Sequence, residues 1–337
     1  MSKTIKSMFI NTLMLQLFAE PYGISPNVTT QDSMSPTMKT FYDTALLENA
    51  RAVLIFNQFG DKQKMKGNKI EWRKFDTFDK ALTPLTEGVT PDGSKFGMTK
   101  IEASTTQHGD YTPVSDRLEL ESYDDVIYGA TEEMGAAGGA TFDTLTRNIL
   151  IQGNCVQYAP KADGTEVTSR DELDMTCLMT PALVKKAVTW LKKNKAPKIN
   201  GCYPILIHPS VSHDLTESDE WKEYHKYNDT TPIFKGEIGE LHGARFVEST
   251  ECKVHAKNAL GCATYDTLVL GANAYGVLDP EGESMEMIVK PKGQIGGPLE
   301  LYSTIGYKFC HGAKILYEER MLRIETSSSF AKSDEEN

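Results

Sequence analysis

The chain has 337 residues, of which 39% are hydrophobic, and its formal net charge is −11. This length suits one large domain or two, and the apolar content suits a globular core. The negative charge argues against a dedicated nucleic-acid binder, although it is compatible with a local basic face. No apolar run reaches the roughly 18–20 residues that a membrane-spanning helix needs, so we expect no membrane partner.

The cysteines give no sign of a metal ribbon, because no two of them are spaced as C-x-x-C. Cys252 and Cys262 flank a short loop and are candidates for a disulfide. A reducing cytosol would keep them as thiols. The sequence therefore leaves their pairing open.

Residues 1–56 are predicted to form an N-terminal arm followed by a helix. Lys3 and Lys6 precede an apolar run, as in a signal peptide, but polar residues interrupt the run and no A-x-A-like site follows. An amphipathic arm that docks on a partner fits better. Ser35 suits a helix N-cap and Pro36 the first helical position, which predicts a helix to about Phe56.

Residues 57–117 are organised around two strand patterns. Residues 68–75, NKIEWRKF, alternate apolar and charged side chains, and residues 98–111 alternate with many β-branched side chains. The intervening residues are rich in proline and glycine, which favour turns. The pattern predicts a long two-stranded arm with a wide, turn-rich end.

Such an arm is marginal on its own in water. Its charges nearly cancel, which favours pairing with another protein surface over binding of nucleic acid. A passive surface hairpin is the alternative.

The remaining chain predicts two lobes. Residues 118–178 contain the longest helical pattern, at 123–153, in which three glycines imply close packing or a kink. Residues 179–295 alternate helices and strands, as an α/β lobe does, and Thr180 with Pro181 predicts the start of a helix that runs to Asn194. Residues 296–330 are rich in strand patterns, and residues 331–337 form an acidic tail that is predicted to be disordered.

A search for chemistry finds no phosphate loop, nucleophile elbow, zinc-protease motif or dinucleotide fingerprint, so we expect neither catalytic residues nor a cofactor nor a metal. His208 and His213 are spaced for neither helical nor strand geometry around one metal. Acidic residues at 279–286 lack the ordered spacing of a calcium loop. The lysines at 185–195 are interpreted as a solvated helix face, with contact to DNA as the alternative.

Two runs within the arm carry a family resemblance. Residues 84–93, PLTEGVTPDG, are followed by residues 107–116, QHGDYTPVSD. Together they resemble the major capsid proteins of tailed bacteriophages with the Hong Kong 97-type fold. The likeness extends more weakly from about Ser35 to Phe330.

The resemblance implies an α+β fold with an N-terminal arm, an extended β-hairpin called the E-loop, a P-domain with a long spine helix, and an α/β A-domain. In that family the E-loop lies over a neighbouring subunit. The residues of this chain that we expect at such an interface are Trp72, Pro84, Leu85, Glu87, Pro91, Phe96 and Tyr111.

The function implied is structural and not enzymatic: self-assembly of hexamers and pentamers into an icosahedral phage head around double-stranded DNA. Expected partners are scaffolding and portal proteins and, by weak non-specific contact, the packaged DNA. Assembly is expected in the host bacterial cytoplasm, and the product is a virion component. Alternatives are the shell protein of an encapsulin-type bacterial nanocompartment and an unrecognised hydrolase. The triangulation number, host, maturation cleavage and covalent cross-linking are not readable from the sequence.

Overall fold

The structure is a computed structural model that describes residues 55–65, 69–78, 80–84, 87–88, 90, 93–122, 126–225, 237–280, 285–293, 299–331 and 334–337. The predicted amphipathic arm and all but the end of the predicted helix before Phe56 lie outside these residues.

The helices are α1 (Asp116–Glu121), α2 (Val126–Leu150), α3 (Pro181–Lys193), α4 (Pro209–Glu217) and α5 (Asp219–His225). The strands are β1 (Asp61–Met65), β2 (Lys69–Phe75), β3 (Met98–Ser104), β4 (Thr106–Ser115), β5 (Val156–Tyr158), β6 (Tyr203–Ile207), β7 (Glu237–Leu241), β8 (Ala244–Glu248), β9 (Val254–His255), β10 (Thr264–Leu270), β11 (Tyr275–Pro280), β12 (Glu286–Lys290), β13 (Tyr302–His311), β14 (Ala313–Ile315) and β15 (Met321–Thr326).

A mixed seven-stranded sheet has the order β5-β15-β10-β6-β8-β7, and β9 pairs with β10 at its side. Alternate side chains of its strands enter two different cores, as the period of two requires. Ile205 and Val269 belong to the core that includes α3, whereas Leu206 and Leu268 belong to the core that includes Leu150 of α2. The sheet is therefore covered by apolar side chains on both faces.

The described residues also form three smaller sheets, with the orders β1-β11-β14, β12-β13-β4 and β2-β3. The chain divides into two compact units. The described part of the first unit comprises residues 110–122, 126–134, 287–293 and 299–307, and it contains most of the β12-β13-β4 sheet. The second unit comprises the other described residues, including the β2-β3 hairpin and the seven-stranded sheet.

The structure contains the predicted long helix as α2, which runs for 25 residues through its glycines. Of the three glycines in the predicted pattern, Gly135 faces open space, so close packing does not account for that one. The helix α3 begins as the sequence predicts, because Thr180 accepts a hydrogen bond from the Leu183 amide and Pro181 occupies the first turn.

Two features of the structure bear on the expected domain organisation. The boundaries expected at 178/179 and 295/296 divide strands that belong to one sheet, since β5 and β15 lie in the seven-stranded sheet with β6, β8 and β10. The acidic tail, predicted to be disordered, has defined contacts: Asp334 accepts hydrogen bonds from Tyr265 at 2.7 Å and from Ser210 at 3.1 Å. Glu336 pairs with Lys253 at 3.0 Å.

Candidate assembly surfaces

The arm forms as an antiparallel hairpin in which each residue of β2 faces one of β3, from Lys69 opposite Ser104 to Phe75 opposite Met98. Burial along β2 alternates at every residue. One face of the hairpin is therefore turned to protein and the other to solvent, as the sequence pattern predicts. We call residues 69–104 the arm from here on.

The second predicted strand is divided in two. It was expected to run from 98 to 111 within the arm, but β3 ends at Ser104 and β4 enters a different sheet, beside β13. Tyr111 therefore lies outside the arm. Its Cβ would be 2.8 Å from a Cβ added at Gly306, so glycine allows the two strands to approach closely there.

The protein-facing side of the arm packs on its own subunit. Ile70 and Trp72 contact a small apolar cluster formed by Ala103 and Leu278. A Cβ added at Gly276 of β11 would lie 2.8 Å from the Trp72 ring, so glycine makes room for the indole. Trp72 is half-buried against β11 of its own chain, and the contact expected with a neighbouring subunit stays a prediction. Within one subunit, the Trp72 side chain anchors the arm to β11.

The solvent-facing side of the arm carries charges of both signs. Glu71 and Glu102 are directly opposite each other, an arrangement that repulsion destabilises. Lys100 lies between them and contacts Glu71 at 2.8 Å and Glu102 at 2.5 Å. Its hydrogen bond lowers the pKa of the Glu71 carboxyl. The exposed face is therefore nearly neutral, which suits contact with another protein more than contact with DNA.

An exposed aromatic cluster occupies the outer end of the arm. The ring of Phe96 stacks on Phe75 with centroids 4.9 Å apart and on Phe78 with centroids 5.5 Å apart. Each of the three side chains is more than half exposed, and Leu82 and Met98 are exposed as well. We call Phe75, Phe78 and Phe96 the aromatic tip. Three stacked rings in water form an apolar surface of the kind that marks protein contacts.

The other residues expected at the interface lie in different parts of the chain, and the structure describes only some of them. Pro84 and Glu87 are exposed at the end of the arm, near the aromatic tip in sequence. Leu85 and Pro91 lie outside the described residues. Of the seven expected residues, the structure thus places Phe96 in a defined exposed cluster, Trp72 in an intrachain contact and Tyr111, 68% exposed, on a separate strand.

The first unit carries further exposed apolar side chains, which no sequence pattern marked. Besides Tyr111, they are Leu120, Tyr128, Val289, Leu299, Leu301 and Tyr302. Leu120 and Leu299 are 84% and 74% exposed. The unit is held together locally by the bond from the Asp116 amide to the Leu301 carbonyl at 2.8 Å and by Ser303 donating to Glu119 at 3.3 Å. Sequence patterns cannot separate such residues from core residues, since both are apolar.

The segment that leads into the arm is fastened to α2 by a buried carboxylate. Asp143 is fully buried and accepts hydrogen bonds from the backbone amides of Ile55 at 2.9 Å and Asn57 at 3.1 Å. The Asn57 side chain also donates to it at 3.0 Å. Burial raises the pKa of Asp143, although these donors oppose that shift. The sequence analysis did not identify Asp143, because its partners lie more than 80 residues away.

The same network extends to β13 through Thr146. Its hydroxyl donates to the Asn57 side chain at 2.9 Å and lies 2.9 Å from Nε2 of His311. The His311 ring also packs edge-on against Phe142, with centroids 4.9 Å apart. Burial, together with the nearby His108, lowers the pKa of His311 to about 4. The imidazole is therefore neutral near pH 7 and joins the network as a neutral group.

The described residues contain no group of three or more His, Cys, Asp or Glu side chains arranged to hold a metal ion. His208 packs on Tyr265, and burial lowers its pKa. His213 packs on Phe330. The two histidines thus have separate packing partners. Cys252 and Cys262 are free thiols, and both are buried. In the parts of the chain that the structure describes, no helix is both long and apolar enough to cross a bilayer.

Sequence comparison alone does not place the chain. No protein-family profile matches it. No curated protein matches it either.

Comparison of structures does place the fold. The capsid of Ralstonia phage GP4 aligns with a TM-score of 0.67 and 14% identity, covering 89% of this chain and 98% of that one. The capsid of cyanophage Pam1 aligns with a TM-score of 0.67 and 11% identity, covering 93% and 100%. The capsid of cyanophage P-SCSP1u aligns with a TM-score of 0.64 and 15% identity, covering 91% and 98%. The α+β capsid fold expected from the sequence is confirmed.

Proposed function

We propose that the chain is the major capsid protein of a tailed bacteriophage, which self-assembles into the icosahedral head shell around double-stranded DNA. The observation that carries this proposal is the alignment of about nine-tenths of the chain with phage capsid subunits over nearly their whole length. In this proposal the subunits form hexamers and pentamers, and many modest contacts add up over a closed shell.

The exposed surfaces support the same conclusion. An aromatic tip that is exposed at the end of a hairpin does not stabilise a monomer, because apolar rings contribute to stability only when they are buried. If a neighbouring subunit covers the tip, burial of this apolar area favours binding of the two subunits. The arm is thus proposed as the E-loop, and α2 as the spine helix. The exposed residues of the first unit supply further contacts.

The proposed role is structural and not catalytic. Scaffolding and portal proteins are the expected partners during assembly in the host bacterial cytoplasm, and packaged DNA is a weak, non-specific partner in the virion. The negative net charge of the chain supports weak DNA contact, since tight binding would need a predominantly basic surface.

The shell protein of a bacterial nanocompartment is the second candidate. The solved structures described above come from phage capsids, and they favour the phage head. Portal and terminase genes beside the coding sequence would support the phage head. A cargo enzyme with a C-terminal targeting peptide would support the nanocompartment.

Electron microscopy of the purified protein, expressed alone and with its scaffolding protein, tests the proposal. We expect closed shells or capsomer rings. A variant in which a short Gly-Ser turn replaces residues 84–97 should keep the far-UV circular dichroism of the subunit and lose shells. A monomer under all conditions, or normal particles from this variant, contradicts the proposed assembly role.

A further inference from the structure

One helix of this acidic chain, with the turn after it, carries lysines and no acidic residue. Residues 181–200 contain six lysines and no acidic residue, at positions 185, 186, 192, 193, 195 and 198. Without these six charges, the net −11 of the chain would be −17. This segment of an acidic protein is therefore basic, and we call it the α3 lysine face.

The helix geometry gathers these lysines on one side. Lys185 and Lys192 are seven residues apart, as are Lys186 and Lys193, and seven residues make nearly two full turns. Each pair therefore lies on a common line about 10 Å long. All four side chains are exposed, whereas Leu183, Val184, Ala187, Val188 and Leu191 face the core.

Few interactions within the subunit stabilise the positive charges of these lysines. Lys186 pairs with Glu166 at 3.5 Å, and both side chains are mostly exposed, so this pair contributes little to stability. Lys192 and Lys193 lie in the last turn of α3, where cations stabilise the negative end of a helix. That effect is confined to the last turn and does not explain Lys185 or Lys186.

The α3 lysine face lacks the features of a protein interface. Among the described residues 181–200, no large apolar side chain is exposed. Trp190, the one aromatic residue of α3, packs against the core. Protein interfaces are depleted in lysine and centred on aromatic or apolar anchors. A flat surface of flexible ammonium groups fits instead a ligand that carries closely spaced charges and needs no pocket.

We infer that the α3 lysine face binds the phosphate backbone of duplex DNA, without reading its sequence. Duplex DNA presents a negative charge about every 1.7 Å along its axis, so the two lysine rows span several phosphates. Lysine acts there as a point charge, and bound counterions are released into solution. This inference rests on the proposed function, because it assigns to α3 the contact between shell protein and packaged DNA.

The test compares two quadruple variants with the same net charge. One is Lys185→Gln, Lys186→Gln, Lys192→Gln and Lys193→Gln. The control is Lys222→Gln, Lys257→Gln, Lys290→Gln and Lys314→Gln, which removes four exposed lysines from other elements. The affinity of the full-length chain for a random-sequence 30-base-pair duplex is measured by fluorescence anisotropy at several salt concentrations.

We expect the α3 variant to bind at least about tenfold more weakly than the control at low salt, and its salt dependence to be shallower by about two phosphate contacts or more. Equal affinities of the two variants would overturn the inference. Poly-glutamate at matched charge concentration serves as the second probe. If the wild-type chain binds it as tightly as DNA, an acidic protein is the partner and the inference is wrong.

Shell formation is scored separately by electron microscopy of the same samples. Shells from both variants, with weaker DNA binding by the α3 variant, support the inference. Shells combined with unchanged DNA binding contradict the inference alone. If the wild-type chain forms no shells, the proposed function fails, whatever the DNA result.

Discussion

The carboxylate of Asp143 lies 2.9 Å from the backbone nitrogen of Ile55, and this bond joins the long helix α2 to the segment that enters the arm. Because Asp143 is fully buried, water does not compete for its hydrogen bonds. Removing a buried acceptor leaves donors without a partner, which costs more than the bond itself contributes. The network therefore fixes the path of the chain just before the arm.

Asp143→Ala should lower the free energy of unfolding by about 2–3 kcal/mol, because the amides of Ile55 and Asn57 lose their acceptor. Hydrogen exchange should also become faster at Phe56 to Gly60 than in the seven-stranded sheet. Asp171→Ala removes an exposed carboxylate and is the matched control. An unchanged melting temperature with unchanged exchange at these residues would show that Asp143 does not hold the segment.

His311 should make stability depend on pH in a defined window. The unfolded chain binds a proton on this histidine below about pH 6.5, while the folded chain does so only below about pH 4. Between these values the unfolded state binds more protons, so stability falls as the pH falls, by about 3 kcal/mol in total.

His311→Gln should flatten this dependence, as measured by urea unfolding at pH 7 and pH 4.5. Some dependence should remain, because burial lowers the pKa of His208 too. His213→Gln, which removes a half-exposed imidazole elsewhere in the chain, is the control. Parallel profiles for wild type and His311→Gln would exclude His311 as a source.

The aromatic tip should matter to the shell and little to the subunit. Phe78→Ser with Phe96→Ser removes two exposed rings, so the melting temperature of the unassembled chain should hardly change. If a neighbour covers these rings, each truncation costs about 2 kcal/mol or more per contact, and shells should be few or dissociate at lower denaturant. Phe330→Ser, which removes another exposed ring, is the control. Shells of wild-type yield and stability from the double variant would remove the tip from the interface.

Trp72→Ala should act differently from the tip variants, since Trp72 is packed within its own subunit. We expect it to destabilise the unassembled chain by about 2 kcal/mol, which is less than buried aromatic truncations cost, because the ring is half-buried. Limited proteolysis should cut the arm faster. A loss of shells with unchanged subunit stability and proteolysis would instead return Trp72 to the interface set.

Much of the local structure was predictable from the sequence. The alternation around Trp72 predicted the hairpin, and Thr180 with Pro181 predicted the start of α3. The helix α4 was missed, because its N-cap is His208, whose side chain accepts from the Ser210 amide, and its residues are mostly small or polar. Ordinary capping patterns place Ser, Thr, Asp or Asn there.

The long-range pairings were not predictable by the same means. The partner of β4 is β13, nearly 200 residues away, and no periodicity in 98–111 marks the point where one sheet ends and another begins. Likewise, an apolar alternation shows that Trp72 faces protein but not whether that protein is its own subunit or a neighbour. The interface prediction for Trp72 depended on this missing distinction.

We expect the arm to bend where Trp72 lies against Gly276. Gly276 pairs with Asp61 in β1, so the strand that leads into the arm and the indole that holds the arm meet at one residue of β11. Only three residues, about 10 Å, separate this pivot from Phe75. Because this segment is short, a small tilt of the arm at Trp72 changes the direction in which the arm points more than the distance that it extends. In the proposed shell, substitutions at Gly276 are therefore expected to alter the angle between adjoining subunits, and with it the curvature and diameter of the particle, before they alter how firmly the subunits hold together.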